Sequence, residues 1–143
     1  ARFARLGDLL REAGRPMAAL VEFRKAADPD SPPSPLLMAR EAMCLLELDQ
    51  PTEALKTARE GVRMYPEFTL IQVVHARALK ALGKEADAVA AWQNAHDLNP
   101  FDPEVQAELA AGWMSLGDPQ RAQKHRGYER ILKSGGSTSP GVQ

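Results

Sequence analysis

Cysteine is almost missing from this chain. Cys44 is the single thiol among 143 residues, which rules out an intramolecular disulfide and any thiolate metal cluster. One thiol fits a reducing compartment, so the cytoplasm is favoured and the periplasm stays open. No apolar run is long enough for a membrane-spanning helix, and no charged-then-apolar leader stands at the start. The chain opens on Ala1 rather than methionine, which points to a trimmed or processed piece of a longer protein. Neither sign of charge dominates. The formal net charge is −1, whereas a dedicated nucleic-acid binder is normally strongly basic.

Catalytic signatures are equally absent. There is no glycine-rich phosphate loop with its lysine, no H-E-x-x-H and no nucleophile elbow. His75, His96 and His125 lie 21 and 29 residues apart, and none has a second histidine three or four residues away, as a helical zinc site would want. The carboxylates are scattered singly, as on a solvated helix face. This segment therefore reads as non-enzymatic, with no cofactor and no metal.

What the chain has is a period. Ala19, Ala54, Ala88 and Ala122 stand 35, 34 and 34 residues apart, each opening a phrase Ala-Leu/Val-x-x-(Phe/Trp) or a variant of it. A period of that size means a stack of helical units, each too small to bury a core alone. The 44% apolar content and twenty-three alanines favour helix and suffice for a core. Gly14, Gly83 and Gly117 sit where a left-handed helix cap is wanted, with Asp49 in the same place in the second unit. Pro16, Pro51 and Pro119 follow two residues later, at the first position of the next helix.

This punctuation predicts helices near 1–13, 16–27, 35–48, 51–64, 67–82, 85–97, 102–116 and 119–133. The fold class is all-α, a superhelix of about eight antiparallel helices. The units fall at about 1–34, 35–68, 69–102 and 103–133. Residues 134–143 have almost nothing to bury and read as a disordered tail. The proline-rich segment from Asp28 to Pro35 reads as a stiff connector, with Ser34 capping the helix that Pro35 opens.

The residues resemble the tetratricopeptide repeat, patterned W-x2-L-G-x2-Y, A-x3-F, P. The first unit offers Phe3-x2-Leu6-Gly7-x2-Leu10 and Ala19-x3-Phe23. The third offers Ala76-x2-Leu79, Gly83, Ala88-x3-Trp92, Ala95 and Pro100. The second keeps Ala42-x2-Leu45, Ala54, Gly61 and Pro66, but has Ala58 where a bulky aromatic is expected. The fourth keeps Ala110-x2-Trp113, Gly117 and Ala122, then departs with Arg126 and Glu129. That polar face suits a terminal, capping helix. His75 replaces the family's leucine and reads as a hydrogen-bonded core residue.

The resemblance implies a concave groove walled by the first helix of each unit. Its positions carry over to Ala4, Asp8 and Arg11; to Leu36, Ala39, Met43 and Leu46 with Arg40; to Leu70, Val73, Arg77 and Lys80; and to Glu104, Ala107, Glu108, Ala111 and Met114. These are expected to lie outside the core. The middle of the groove is then apolar, which suits an amphipathic helix or extended peptide of a partner protein. The family's clamp for a terminal carboxylate is missing. Its places hold Ala4 and Asp8, Ala39 and Met43, Leu70 and Val74, or Glu104 and Glu108.

Charge is uneven along the chain. Residues 85–118 hold seven acidic residues and no lysine or arginine. The last helix then carries Arg121, Lys124, Arg126, Arg130 and Lys133, a basic strip that either offsets the acidic unit or docks an acidic partner. The expectation is thus a protein-interaction scaffold, without nucleic acid as partner. Two alternatives stand beside it: a regulatory or substrate-presenting arm of a larger bacterial enzyme such as a peptidase, and a scaffold that self-associates through its array ends. Twelve arginines against six lysines fit a bacterial source.

Overall fold

The computed structural model describes residues 2–135. Eight helices follow one another: α1 (Arg2–Glu12), α2 (Pro16–Ala26), α3 (Pro35–Glu47), α4 (Pro51–Met64), α5 (Thr69–Ala81), α6 (Glu85–Leu98), α7 (Pro103–Ser115) and α8 (Pro119–Ser134). No strand occurs among the described residues. Each end lies within two residues of its expected place. The expected tail falls, from residue 136 onward, outside the described residues.

The turns inside each pair are made as their residues dictate. Gly14, Gly83 and Gly117 take φ of 74°, 72° and 81°, and Asp49 takes 57°. An L-residue there is strained, and aspartate is among the few that tolerate it. Proline opens α2, α3, α4, α7 and α8, where its missing N–H costs nothing. Ser34 accepts a hydrogen bond from the Leu37 N–H, and Asp118 accepts one from the Arg121 N–H at 3.0 Å. Those bonds satisfy donors that a helix start otherwise leaves bare. Asp28 closes the proline-rich connector by accepting from Asp30 N–H and Ser31 Oγ, and Tyr65 Oη donates to the Pro33 carbonyl at 2.6 Å.

Packing follows size matching. Ala42, Ala76 and Ala110 on the first helices and Ala54, Ala88 and Ala122 on the second are all buried, which lets the paired helices approach closely. Between units, a large side chain faces a small one. A Cβ on Gly112 of α7 would run into Val89 of α6, and one on Gly61 of α4 would run into Ile71 of α5. By register, Leu55 stands opposite Ala78 and Leu20 opposite Cys44, all buried. Each joint thus interdigitates at interior density, the arrangement most sensitive to a change in volume.

One position decides how far successive first helices stand apart. Phe23 and Trp92 are fully buried wedges at the first and third joints, whereas the second joint carries the small Ala58. With no wedge there, α3 packs directly against α5. At the wedged joints ion pairs span the gap instead, between α1 and α3 and between α5 and α7.

Candidate functional site

The first helices carry a row of side chains along one wall, and the α3–α5 contact changes its make-up. Ala39 is 0% exposed and Val73 only 4%. The resemblance places both where they would face a partner; the close approach of α3 and α5 draws them into the core instead. Leu36 is exposed, and Met43, Leu46 and Leu70 are half-buried against the core cluster. The apolar middle of the wall is therefore a narrow seam of Leu36, Met43, Leu46 and Leu70.

On either side of this seam the charged residues pair with one another. Arg40 meets Asp8 at 2.6 Å, and Arg11 meets Glu47 at 2.9 Å. Arg77 grips Glu104 with two parallel bonds of 2.8 and 2.6 Å, the bidentate geometry that guanidinium favours. Lys80 sits 2.7 Å from Glu108. These eight residues are four cations and four anions, so their charges cancel. Each exposed pair is worth roughly 0–1 kcal/mol and weakens in salt. Leu46, Arg77, Lys80, Ala81, Trp92, Glu104 and Glu108 enclose an open hollow of about 510 Å³. Its floor is apolar and its rim is already neutralised.

The basic strip on α8 is exposed at all five positions. Arg121 lies 3.4 Å from Asp118 and 4.5 Å above the Trp113 ring, and Lys133 pairs with Glu129 at 2.9 Å. Lys124 sits over Tyr128. Three of the five cations therefore already have partners within their own helix or unit.

The fold unites two histidines that no sequence motif connects. Gln106, fully buried, donates from Nε2 to His96 Nδ1 at 2.7 Å and to the Pro100 carbonyl at 2.9 Å. Its Oε1 accepts from His125 Nδ1 at 2.7 Å. Because both amide hydrogens are engaged, His96 Nδ1 is the bare acceptor and His125 Nδ1 carries the proton. Burial, with His96 and Lys124 nearby, holds His125 below its ordinary pKa. The His96 and His125 rings meet edge to face at 5.3 Å, and Tyr128 lies parallel to His96 and edge-on to His125. No group of three metal-ligating side chains exists among the described residues. His75 differs from its expected role: its Nδ1 is buried without a partner. Cys44 is buried, and burial together with the Glu47 carboxylate pushes its thiol up to about 11, far from a nucleophile's range. No helix among the described residues is long and apolar enough to cross a membrane.

Paired helices, left-handed turn caps and large-over-small joints define an α-solenoid of stacked helical hairpins. No protein-family model matches the chain. Tetratricopeptide repeat protein 8 of Caenorhabditis elegans is 27% identical over 136 residues, 95% of this chain and 25% of that protein. The chain thus spans a quarter of the length of the curated relative it matches. A tetratricopeptide-repeat protein of Thermus thermophilus superposes with a TM-score of 0.80 at 23% identity, over 93% of this chain and 74% of that one. The first such domain of Spaghetti (RPAP3), solved with the HSP90 peptide SRMEEVD, gives 0.73 at 21% identity, over 80% and 90%. The chain has the fold of the tetratricopeptide-repeat arrays.

Proposed function

We propose that this array is a non-enzymatic protein-interaction module that holds a partner peptide or helix along the α3–α5 seam. The observation that carries the reading is the pattern of the wall, a partly exposed apolar strip between two flanks whose charges pair off internally. An apolar strip left open to water marks a contact surface. Flanks of zero net charge exert little long-range pull, so the fit of apolar side chains supplies most of the affinity. The domain solved with an HSP90 peptide supports the use of such a fold to hold peptides. Without a carboxylate clamp in this groove, we assign it a peptide read by its apolar side chains rather than by its terminus.

The test is a pair of substitutions on the seam. Leu36→Glu with Leu46→Glu should weaken partner binding by more than about tenfold, because an apolar partner side chain would then face a charge that must lose its water. Helicity by circular dichroism should stay native, since neither leucine is fully buried. Full binding by this double variant would refute the seam. Val73 is unsuited to the purpose, because its place in the core would confound binding with folding.

A second reading rests on the first unit. Leu9 is 56% exposed and Leu6 43%. The register-mates of Leu9, namely Cys44, Ala78 and Gly112, are all buried by the unit before them. An apolar α1 face favours a further contact at this end, either with another part of a longer chain or with a second copy. That contact is compatible with a groove that binds a partner, and with service as an arm of a larger enzyme.

A further inference from the structure

The end of the array turns apolar at three places where the preceding register is polar. Glu60 and Asn94 are followed in register by Tyr128, Arg63 and Asp97 by Ile131, and Glu67 by Phe101. Phe101 is 74% exposed, Ile131 65% and Tyr128 38%. The stack itself does not need these apolar side chains, since the earlier units fold with polar ones in their places. Together with His96, Pro100 and Leu132 they enclose an open hollow of about 350 Å³, at the low end of the size of ligand pockets. It lies among α6, α8 and the turn before α7, whereas the proposed seam runs along the first helices α3 and α5.

One side-chain donor serves this hollow. Both amide hydrogens of the buried Gln106 are engaged, one by His96 Nδ1 and one by the Pro100 carbonyl. With Nδ1 accepting, the proton of the His96 ring is on Nε2. Nδ1 is turned inward to Gln106, so the opposite edge of the ring, with Nε2, is the one that lines the hollow. Nε2 bonds no described residue, and it is not among the partnerless polar atoms that are closed off from water. No charged side chain lines the hollow, and Lys124 lies over the Tyr128 ring without reaching it. An ion entering there would lose water without meeting a counter-charge. The fit is to a neutral apolar group that carries a hydrogen-bond acceptor. Carbonyls of a helix or a sheet are already bonded within their own structure, whereas those of a polyproline II segment are bare. Such segments dock on aromatic-lined surfaces. We propose that this hollow binds a proline-containing extended segment of a partner protein, with a pyrrolidine ring among Phe101, Tyr128 and Ile131 and a backbone carbonyl accepting from His96 Nε2–H.

The probe is an N-acetylated oligoproline amide, titrated into the native chain and followed by NMR. Saturable shifts are expected at Tyr128, Ile131 and the His96 ring, and the His96 Nε2–H proton should exchange more slowly with water in the complex. An alanine peptide of equal length should leave these signals in place. Phe101→Glu with Ile131→Asp restores the residues that stand one repeat earlier, Glu67 and Asp97. Circular dichroism should therefore report native helicity, while binding weakens by more than about tenfold. Leu36→Glu with Leu46→Glu on the seam should bind the probe as the native chain does, which separates this site from the one proposed above. Absence of saturable shifts in the native chain overturns the proposal. So does undiminished binding by the Phe101→Glu, Ile131→Asp variant, or tighter binding of benzoate than of oligoproline. A nuclear Overhauser effect from Val142 to Tyr128 in the free chain would give the hollow to the chain's own last residues, and shifts at Tyr128 on dilution would give it to a second copy; either result overturns the proposal as well.

Discussion

The second joint of the array and its two neighbours share a register but differ in the side chain that fills them, Ala58 against Phe23 and Trp92. Where Phe23 or Trp92 fills the joint, the first helices on either side are held apart and ion pairs reach across: Arg40 to Asp8, Arg77 to Glu104, Lys80 to Glu108. Where Ala58 stands, α3 closes on α5, and Ala39 and Val73 go into the core. A wedge thus makes a charged, self-neutralised stretch of wall, and its absence makes an apolar one. The composition of the groove is set from behind it, by residues that no partner would touch.

The largest effect should come from removing a wedge. Trp92→Ala takes a fully buried indole from between α5, α6 and α7 and should cost about 3–5 kcal/mol. Because each unit rests on its neighbours, the loss should spread beyond the third unit. Thermal unfolding with hydrogen exchange on α5 to α8 checks this, and an unchanged melting temperature would remove Trp92 from the core.

Inserting a wedge is the complementary experiment. Ala58→Phe forces an aromatic ring into a fully buried place and should cost about 1–3 kcal/mol through overpacking. It should also part α3 from α5 and expose Val73, which a crystal structure or solvent-exchange rates at Val73 would register. Retention of the close α3–α5 contact in that variant would mean that Ala58 does not set the spacing.

The ion pairs across the wedged joints should matter least. A double-mutant cycle on Lys80 and Glu108 should return a coupling of about 0.2–1 kcal/mol, falling with added salt, since Lys80 is exposed. A coupling well above that range would make the charged flanks structural rather than cancelling.

Much of this architecture is legible in the amino-acid sequence. Spacing of the alanines, glycine and proline at the turns, and the polar departures at Arg126 and Glu129 convey the helices and their order, because turn chemistry and helix starts are local. Which residues of a helix face a partner is not local. Val73 and Ala39 occupy positions that are open in principle and close only because α3 meets α5 where α4 carries the small Ala58. The departure at Ala58 is visible in the sequence, but its consequence lies on two other helices. The link from His96 through Gln106 to His125 joins three helices and has no short motif. A polar residue repeated in register on an apolar face, Gln72 and Gln106 with Pro66 and Pro100 beside them, is the one signal of it that the sequence offers.

The most direct test of the seam is selection from a random peptide library on the native chain and on Ala58→Phe, followed by affinity measurements at low and high salt. Native protein should select peptides rich in leucine, methionine and other apolar residues, with affinities that change little with salt and photocrosslinks at Met43 or Leu46. Ala58→Phe should lose those peptides while remaining helical. Acidic peptides with steep salt dependence, crosslinked to the strip of Arg121 and Lys124 and bound equally well by Ala58→Phe, would contradict the account.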